Sequence, residues 1–178
     1  TQPFAAVAVE VNGPTTIENV QVSADINASG YPLSGFVVYN KSQLSMKDCT
    51  FSGHIKSTSN ASVDISGFIS SMSGESSFKF DRCAFTGGIE ILAGWRAGAF
   101  VSTNTSTMVA DCEMNFCEMS GSISQENGSE RVGGFIGSPN TDKSSYIMKG
   151  CLMNGTCKRW KSNQEHVWIT QENCIIMG

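Results

Sequence analysis

The sequence has few charged side chains and no long apolar run. Lysine, arginine, aspartate and glutamate make up 16% of the 178 residues, with a formal net charge of −4. This balance gives no reason to expect nucleic acid or an anionic membrane as a partner. No window of about 18 apolar residues occurs, so no membrane span is predicted. The chain opens at Thr1 without a signal peptide, so we expect either a mature form or an excerpt of a longer sequence.

Motifs of several enzyme classes are also missing. The chain contains no Cys-x-x-Cys pair, no Gly-x-Ser-x-Gly turn and no phosphate-binding loop, which mark common zinc or redox sites, serine hydrolases and nucleotide-binding enzymes. Only two histidines occur, His54 and His166, and neither has an evident partner in the sequence. We therefore expect a protein that is not an enzyme and that has no cofactor apart from covalent N-glycans.

A repeat of constant period organises the chain. The stretch "CTFSGHI" from Cys49 returns as "CAFTGGI" from Cys83, "CEMSGSI" from Cys117 and "CLMNGTC" from Cys151, with the same separation each time. A second block precedes each copy, as "SGFVVY", "SGFISS", "AGAFVS" and "GGFIGS", and its phenylalanines are not evenly spaced. Blocks of constant length joined by links of variable length indicate structural elements joined by loops.

Apolar and polar residues alternate within the repeated block. Every second position from Cys49 to Ile55 is apolar or glycine, and the positions between are polar, which is the period of a half-buried strand. Similar residues at matching positions of successive units favour stacked coils about 4.8 Å apart. We predict an all-β, right-handed parallel β-solenoid (β-helix) of about five coils. Each coil is expected to have three short strands, represented by "SGFVVY", "LSM" and "CTFSGHI".

The predicted solenoid is one domain that spans residues 1–178. Its units are a partial first coil, four full coils and a shortened last coil, at residues 4–29, 30–61, 62–95, 96–130, 131–164 and 165–178. In the last unit the repeated position is reached at Cys174, well before the constant spacing would place it. Atypical end units are usual in repeat proteins.

The two blocks together resemble a known repeat. "SGFVVYNKSQLSMKDCTFSGHI", and "GGFIGS" followed by "IMKGCLMNGT", are similar to the GLUG-motif repeats of surface-exposed adhesins and proteases. The resemblance covers roughly residues 30 to 157. It implies a β-helical module of a cell surface, with a role in display or adhesion and not in catalysis. This chain departs from the family pattern in its longer coil and its dense glycosylation sequons.

Six Asn-X-Ser/Thr sequons occur, and all are predicted to lie in loops or at outward positions: Asn27, Asn40, Asn60, Asn104, Asn127 and Asn154. We expect most of them to carry N-glycans. Seven cysteines in one small domain with sequons suit an oxidising compartment. The predicted location is therefore secreted, extracellular or at the cell surface.

One cysteine occupies the same position in each repeat and in the last coil: Cys49, Cys83, Cys117, Cys151 and Cys174. We predict that this column points inward, either as a ladder of buried thiols or as disulfides between coils. Stacked Cα atoms about 4.8 Å apart are within the range of a disulfide. A metal site is disfavoured, because ligands along a ladder cannot form a tetrahedron.

Two functions from different classes fit these features. The first is a structural protomer, a glycosylated solenoid that builds a filament, stalk or coat. The second is a carbohydrate-binding surface adhesin or a module like a polysaccharide lyase, with surface glycans as partners. An exposed aromatic row or a carboxylate cluster would favour the second. Asp48, Asp81 and Asp111 lie near one predicted corner, but the separation of Asp48 and Asp81 falls one position short of the repeat, so they do not share a column.

Both ends of the chain are apolar and prone to form strands. "FAAVAVEV" lies near the beginning and "CIIMG" at the other end, and end coils of a solenoid expose unpaired backbone groups. We expect a second copy of the chain to pair head-to-tail by strand addition, through positions Phe4, Val7, Val9, Val11, Ile175 and Ile176. The alternatives are a piece of a longer solenoid, or a cap in which Phe4 to Val11 covers its own first coil.

Overall fold

Stacked parallel strands build the described part of the chain. The computed structural model describes residues 2–58, 63–93, 96–106, 110–127, 131–139, 144–158, 170–172 and 175–176. Within these residues no helix occurs, and strands of successive coils pair in parallel. Each coil adds one strand to each of five sheets, which we call A to E in the order in which the chain enters them. The chain is therefore an all-β, parallel β-solenoid, as predicted.

Five complete coils and two strands of a sixth are described. The first coil contains β1 (Phe4–Ala5), β2 (Ala8–Val11), β3 (Thr15–Glu18), β4 (Gln21–Val22) and β5 (Asp25–Ala28). The second contains β6 (Leu33–Ser34), β7 (Val37–Asn40), β8 (Gln43–Lys47), β9 (Thr50–Phe51) and β10 (His54–Ser57). The third contains β11 (Asp64–Ser66), β12 (Ile69–Gly74), β13 (Ser77–Asp81), β14 (Ala84–Phe85) and β15 (Gly88–Ala93).

The later coils repeat this order. The fourth contains β16 (Arg96–Gly98), β17 (Val101–Ser106), β18 (Ala110–Asn115), β19 (Glu118–Met119) and β20 (Ser122–Asn127). The fifth contains β21 (Arg131–Gly133), β22 (Ile136–Ser138), β23 (Ser144–Lys149), β24 (Leu152–Met153) and β25 (Thr156–Lys158). β26 (Thr170–Glu172) and β27 (Ile175–Ile176) then add a sixth level to sheets C and D. The first coil has all five strands. It is therefore shorter than the later coils because its links have fewer residues, not because a strand is missing.

Each coil has five strands where three were predicted, because glycine bends divide two of the predicted strands. "SGFVVY" divides between β6 and β7 next to Gly35, and "CTFSGHI" divides between β9 and β10 at Gly53. A Cβ atom at Gly53 would collide with the backbone of Ala24 in the coil below, and one at Gly35 with the ring of Phe51. Only glycine permits the backbone to pass so close to these neighbours.

The predicted inward columns form the core. Phe78 pairs with Leu44, Phe80 pairs with Met46 and Met114, and Cys112 pairs with Tyr146. The phenylalanines of the "SGF" block stack in successive coils, with neighbouring ring centroids 4.8, 4.6 and 5.4 Å apart from Phe36 through Phe135. Such ring pairs add to the stability that burial alone provides. The repeat therefore keeps its register because each inward residue contacts its counterpart in the next coil.

The corner between sheets C and D contains one left-handed residue per coil. Asn19, Asp48, Arg82 and Phe116 have φ of 56°, 52°, 50° and 53°, and Gly150 has φ of 61°. Each precedes the column of Val20 and the repeated cysteines by one residue. This corner changes the phase of the alternation, so that Met46 and Cys49, three residues apart, both point inward.

Candidate functional site

The first coil leaves core-type side chains uncovered. Phe4, Val7 and Val9 are 49%, 43% and 45% exposed. Phe4 pairs with the fully buried Leu33, and the register of β2 on β7 places Val7 beside Phe36. Among the described strands, β1 to β5 are each the edge strand of their sheet. Phe4 and Val7 are therefore exposed because their core columns end at the first coil. Val9 lies opposite Val38 in a buried column outside the core cluster, which continues with Ser70 and Ser102.

Some core side chains of the fifth coil are also only partly buried, although β26 and β27 add a further level to sheets C and D. The hydrophobic side chains that are only partly buried against the core belong to the first and fifth coils: Ala8, Ile17, Val20, Ala24, Ala28, Val132, Ile136, Met153 and Cys157. In the described parts of the second to fourth coils, the inward apolar residues are fully covered. Both end surfaces thus present apolar side chains, and two columns do so at both ends: that of Phe4 and Val132, and that of Ala8 and Ile136.

The predicted assembly residues divide into three groups. Phe4, Val7 and Val9 are exposed at the first coil, as described. Val11 is only 5% exposed, because it ends β2 in the inward column of Asn40, so the expectation of an exposed side chain is wrong there. Ile175 and Ile176 form β27, which pairs with Leu152 and Met153 of β24.

Ion pairs join adjacent coils along the outer surface. Five such pairs join a lysine or arginine to a carboxylate among the described residues: Lys41–Glu10, Lys56–Glu90, Lys79–Glu113, Arg82–Asp48 and Arg96–Asp64. At the edge of the first coil, Lys41 Nζ lies 2.8 Å from Glu10 Oε2. Hydrogen bonds from Lys41 and Asn12 lower the pKa of Glu10. The apolar end surface therefore has a carboxylate at its rim.

The repeated cysteines form a buried ladder of thiols. Cys49, Cys83, Cys117 and Cys151 are at most 2% exposed, and no disulfide occurs among the described cysteines. The spacing explains this, because side chains stacked about 4.8 Å apart exceed the Cβ separation of about 3.5–4.5 Å that a disulfide requires. Cys174 lies outside the described residues.

The ladder thiols donate hydrogen bonds to backbone carbonyls. Cys49 Sγ donates to Lys47 O at 3.3 Å and to Ile17 O of the coil below at 3.4 Å. Burial raises the pKa of Cys49 and raises that of Cys112 to about 11. Hydrogen bonds with Cys151 and Cys83, followed by burial, raise the pKa of Cys117. The hydrogen bond with Cys117 lowers the pKa of Cys83, but all four ladder thiols are at most 2% exposed. Because thiols enclosed in this way are out of reach of substrates and metal ions, we conclude that the column packs the core.

The sequons divide between outward and inward positions. Asn27 and Asn154 are exposed. Asn40 ends β7 and Asn104 lies within β17, and they are only 0% and 4% exposed, so the expectation that they lie in a loop is wrong. Asn127 ends β20, and Asn60 lies outside the described residues.

Asn40 and Asn104 turn inward because they hold the corner between sheets B and C. The Ser42 N–H donates to Asn40 Oδ1 at 3.2 Å, and the Ser106 N–H donates to Asn104 Oδ1 at 2.8 Å. Asn104 Nδ2 also donates to the Tyr146 hydroxyl at 2.7 Å. A side-chain oxygen that accepts from the backbone two residues later is the usual asparagine turn. No glycan has room on these two amides in the folded chain.

Features that would favour sugar binding or cleavage are not brought together in the described residues. Arg82 binds both Asp48 and Asp81, and Asp111 accepts a hydrogen bond from Ser145. Tyr31 and Phe116 are exposed, but one lies in the link before β6 and the other at the corner between sheets C and D. Trp95, Trp160, Trp168 and His166 lie outside the described residues. In the described chain no three His, Cys, Asp or Glu side chains are grouped as metal ligands, and no helix could cross a membrane.

Sequence reasoning missed one partly buried ion pair. Arg96 Nε lies 2.9 Å from Asp64 Oδ1, and the two side chains are 18% and 13% exposed. Burial raises the pKa of Asp64, although the charge of Arg96 opposes the shift. Asp64 and Arg96 have the same separation in sequence as Phe68 and Phe100. Their opposite charges at that separation were the signal that could have revealed the pair.

Comparison with known proteins adds no relative to this description. No family model, curated protein or solved structure matches the chain. The resemblance to GLUG-motif repeats therefore stays a prediction based on the motifs. The most distinctive surfaces of the described solenoid are its two ends, where core side chains are incompletely covered.

Proposed function

We propose that the chain is a non-enzymatic structural protein, a β-solenoid protomer that assembles head-to-tail by strand addition into an extracellular filament, stalk or coat. The observation that supports this most directly is the confinement of partly buried core side chains to the first and fifth coils. A second copy that stacks end to end would cover them. The proposed protomer is secreted and carries N-glycans at the exposed Asn27 and Asn154.

Strand addition is the contact that suits these ends. An edge strand offers a row of backbone donors and acceptors, and proteins that remain monomeric usually cover such edges or place charges on them. The described first coil has one acidic residue on β2, Glu10, beside three exposed apolar side chains. A contact between unlike ends is heterologous, and it continues as a filament unless its rotation closes a ring.

The experiment places charges on the first coil. The double substitution Val7→Lys and Val9→Lys puts ammonium groups where a second copy would have to pack, while long lysine side chains reach solvent and spare the fold. Sedimentation velocity and negative-stain electron microscopy of residues 1–178 should show concentration-dependent assemblies for the wild type and monomers for the variant.

The matched control is Phe116→Lys, which changes a 66% exposed side chain on the outer corner. We expect it to assemble like the wild type. Equal loss of assembly in the control would indicate lateral contacts instead of end-to-end ones. A wild-type chain that stays monomeric at the highest soluble concentration would show that the proposed function is wrong.

A further inference from the structure

The two ends of the solenoid present the same columns. Through the successive pairings of sheet B, Ala8 of β2 shares a column with Ile136 of β22. Glu10 shares a column with Ser138 in the same way, and in sheet A Phe4 shares one with Val132. A first coil placed on a fifth coil in parallel would therefore continue each column with a residue that already belongs to it.

The charges at the two rims are complementary. Arg131 begins β21, and its Nη1 donates to Ser138 Oγ at 3.0 Å. Its guanidinium thus lies beside the position that Glu10 of a second copy would take. Within the described residues Arg131 makes no ion pair. Adjacent coils of one chain are already joined by pairs of opposite charge, such as Arg96 with Asp64.

We propose that β1 and β2 of a second copy pair in parallel with β21 and β22, with Ala8 opposite Ile136, Glu10 opposite Ser138, and the Glu10 carboxylate bound by Arg131. This inference rests on the proposed head-to-tail assembly and specifies its register. Val7 of the second copy then covers Phe135 and extends the phenylalanine column. Phe4 packs on Val132.

This register requires β26 and β27 to leave the positions that they occupy in the single chain. β26 and β27 occupy the sixth level of sheets C and D, which is the level that β3 and β4 of the second copy would reach. The incoming strands replace them. The strands that leave are short: β26 forms only three register pairs with β23, and β27 forms only two with β24. The incoming β3 and β4 would pair with the same two strands.

The test exchanges the two charges in the full chain. Glu10→Arg or Arg131→Glu alone places like charges at the contact and should weaken assembly about tenfold or more. The double variant Glu10→Arg/Arg131→Glu should regain assembly, because its two ends are again complementary. In a mixture of the two single variants, both contacts between unlike copies join opposite charges, so the mixture should regain long assemblies in which the two variants alternate. Lys47→Glu on the outer corner makes the same change in net charge as Arg131→Glu and should have no effect.

Amide hydrogen exchange on the wild type gives a readout that needs no variant. On assembly, β1, β2, β21 and β22 should become protected, while β26 and β27 should lose protection. If the wild type assembles but the double variant does not recover, or β26 and β27 stay protected, the register is wrong and head-to-tail assembly still stands. If the wild type never assembles, the proposed function fails and this inference fails with it.

Discussion

The buried asparagines show how a local hydrogen bond can override a repeat pattern. Alternation correctly predicted the inward direction of Cys49, Phe51 and Ile55, because strand geometry alone decides those positions. It gave no signal for Asn40 and Asn104, whose amides turn inward to accept from backbone N–H groups two residues later. A sequon states only a composition, so it cannot report which side of a corner the amide faces.

Substitution of these asparagines should therefore cost stability. Asn40→Ala removes the acceptor of the Ser42 N–H and the donor to Ser77 O, and leaves buried polar groups unsatisfied. We expect a loss of about 1–3 kcal/mol in the free energy of unfolding for Asn40→Ala, measured by urea denaturation. The exposed control Asn27→Ala should stay within about 0.5 kcal/mol of the wild type. Equal effects of the two substitutions would contradict the inward placement.

The same placement predicts where glycans attach. In chain secreted from a eukaryotic host, peptide mass spectrometry should find glycans at Asn27 and Asn154 and none at Asn40 and Asn104. An asparagine that must accept from the backbone inside the core is not available to a bulky modification. Glycans on Asn40 or Asn104 of folded chain would refute the described corner.

Asp64 should shift the pH dependence of stability in the opposite direction to Asp48. Burial raises the pKa of Asp64, so the folded chain holds this proton more tightly than the unfolded chain, and stability falls as the pH rises through the interval between the two pKa values. Asp64→Asn cannot ionise and should gain stability relative to the wild type between about pH 3 and pH 7. The hydrogen bond from Arg82 lowers the pKa of Asp48. Asp48→Asn should therefore lose stability relative to the wild type as the pH rises over the same interval. Urea denaturation at several pH values checks both signs; a relative loss for Asp64→Asn would mean that its pairing with Arg96 outweighs burial.

At the scale of strands, sequence predicted the columns but not the bends. Blocks of constant length indicated which residues would stack, and the register of β13 on β8 follows that alignment. The division of two of the predicted strands by glycine could not be predicted, because a glycine within an alternating pattern is compatible with either a straight strand or a close backbone approach. The distinction depends on rings and carbonyl groups that lie far from each glycine in sequence.

The glycine column gives the strongest prediction for this scale. A Cβ atom at Gly121 would collide with the carbonyl oxygen of Gly87 in the coil below. Because the collision is with backbone, Gly121→Ala should destabilise the fold by about 2–3 kcal/mol or more. Gly13→Ala is the control, since no heavy atom lies within 4 Å of its added Cβ, and it should change the unfolding free energy by no more than about 0.5 kcal/mol. Comparable melting temperatures for the two variants would contradict the close approach.

For the whole molecule, stability depends on neighbouring coils. Each coil contacts the coil before it and the coil after it, so solenoid stability is approximately a sum of coil and interface contributions. Among the described residues, the first coil has one such interface, the second to fourth coils have two, and the fifth coil has a second interface only in sheets C and D. The sequence could indicate that the ends are atypical, but not that the first coil is complete, since its links differ in length from the central repeat.

The thiol column supplies one chemically equivalent reporter in each of four successive coils. A small alkylating reagent cannot reach these sulfur atoms until the coil around them opens, so the time at which each cysteine reacts records when its own coil unfolded. In pulsed alkylation with mass spectrometry, Cys151 in the fifth coil should react before Cys83 and Cys117, which lie between fully formed neighbours. Identical rates at all four sites would instead mean that the solenoid opens in a single step. The cysteine column therefore reports the order in which the stacked coils unfold.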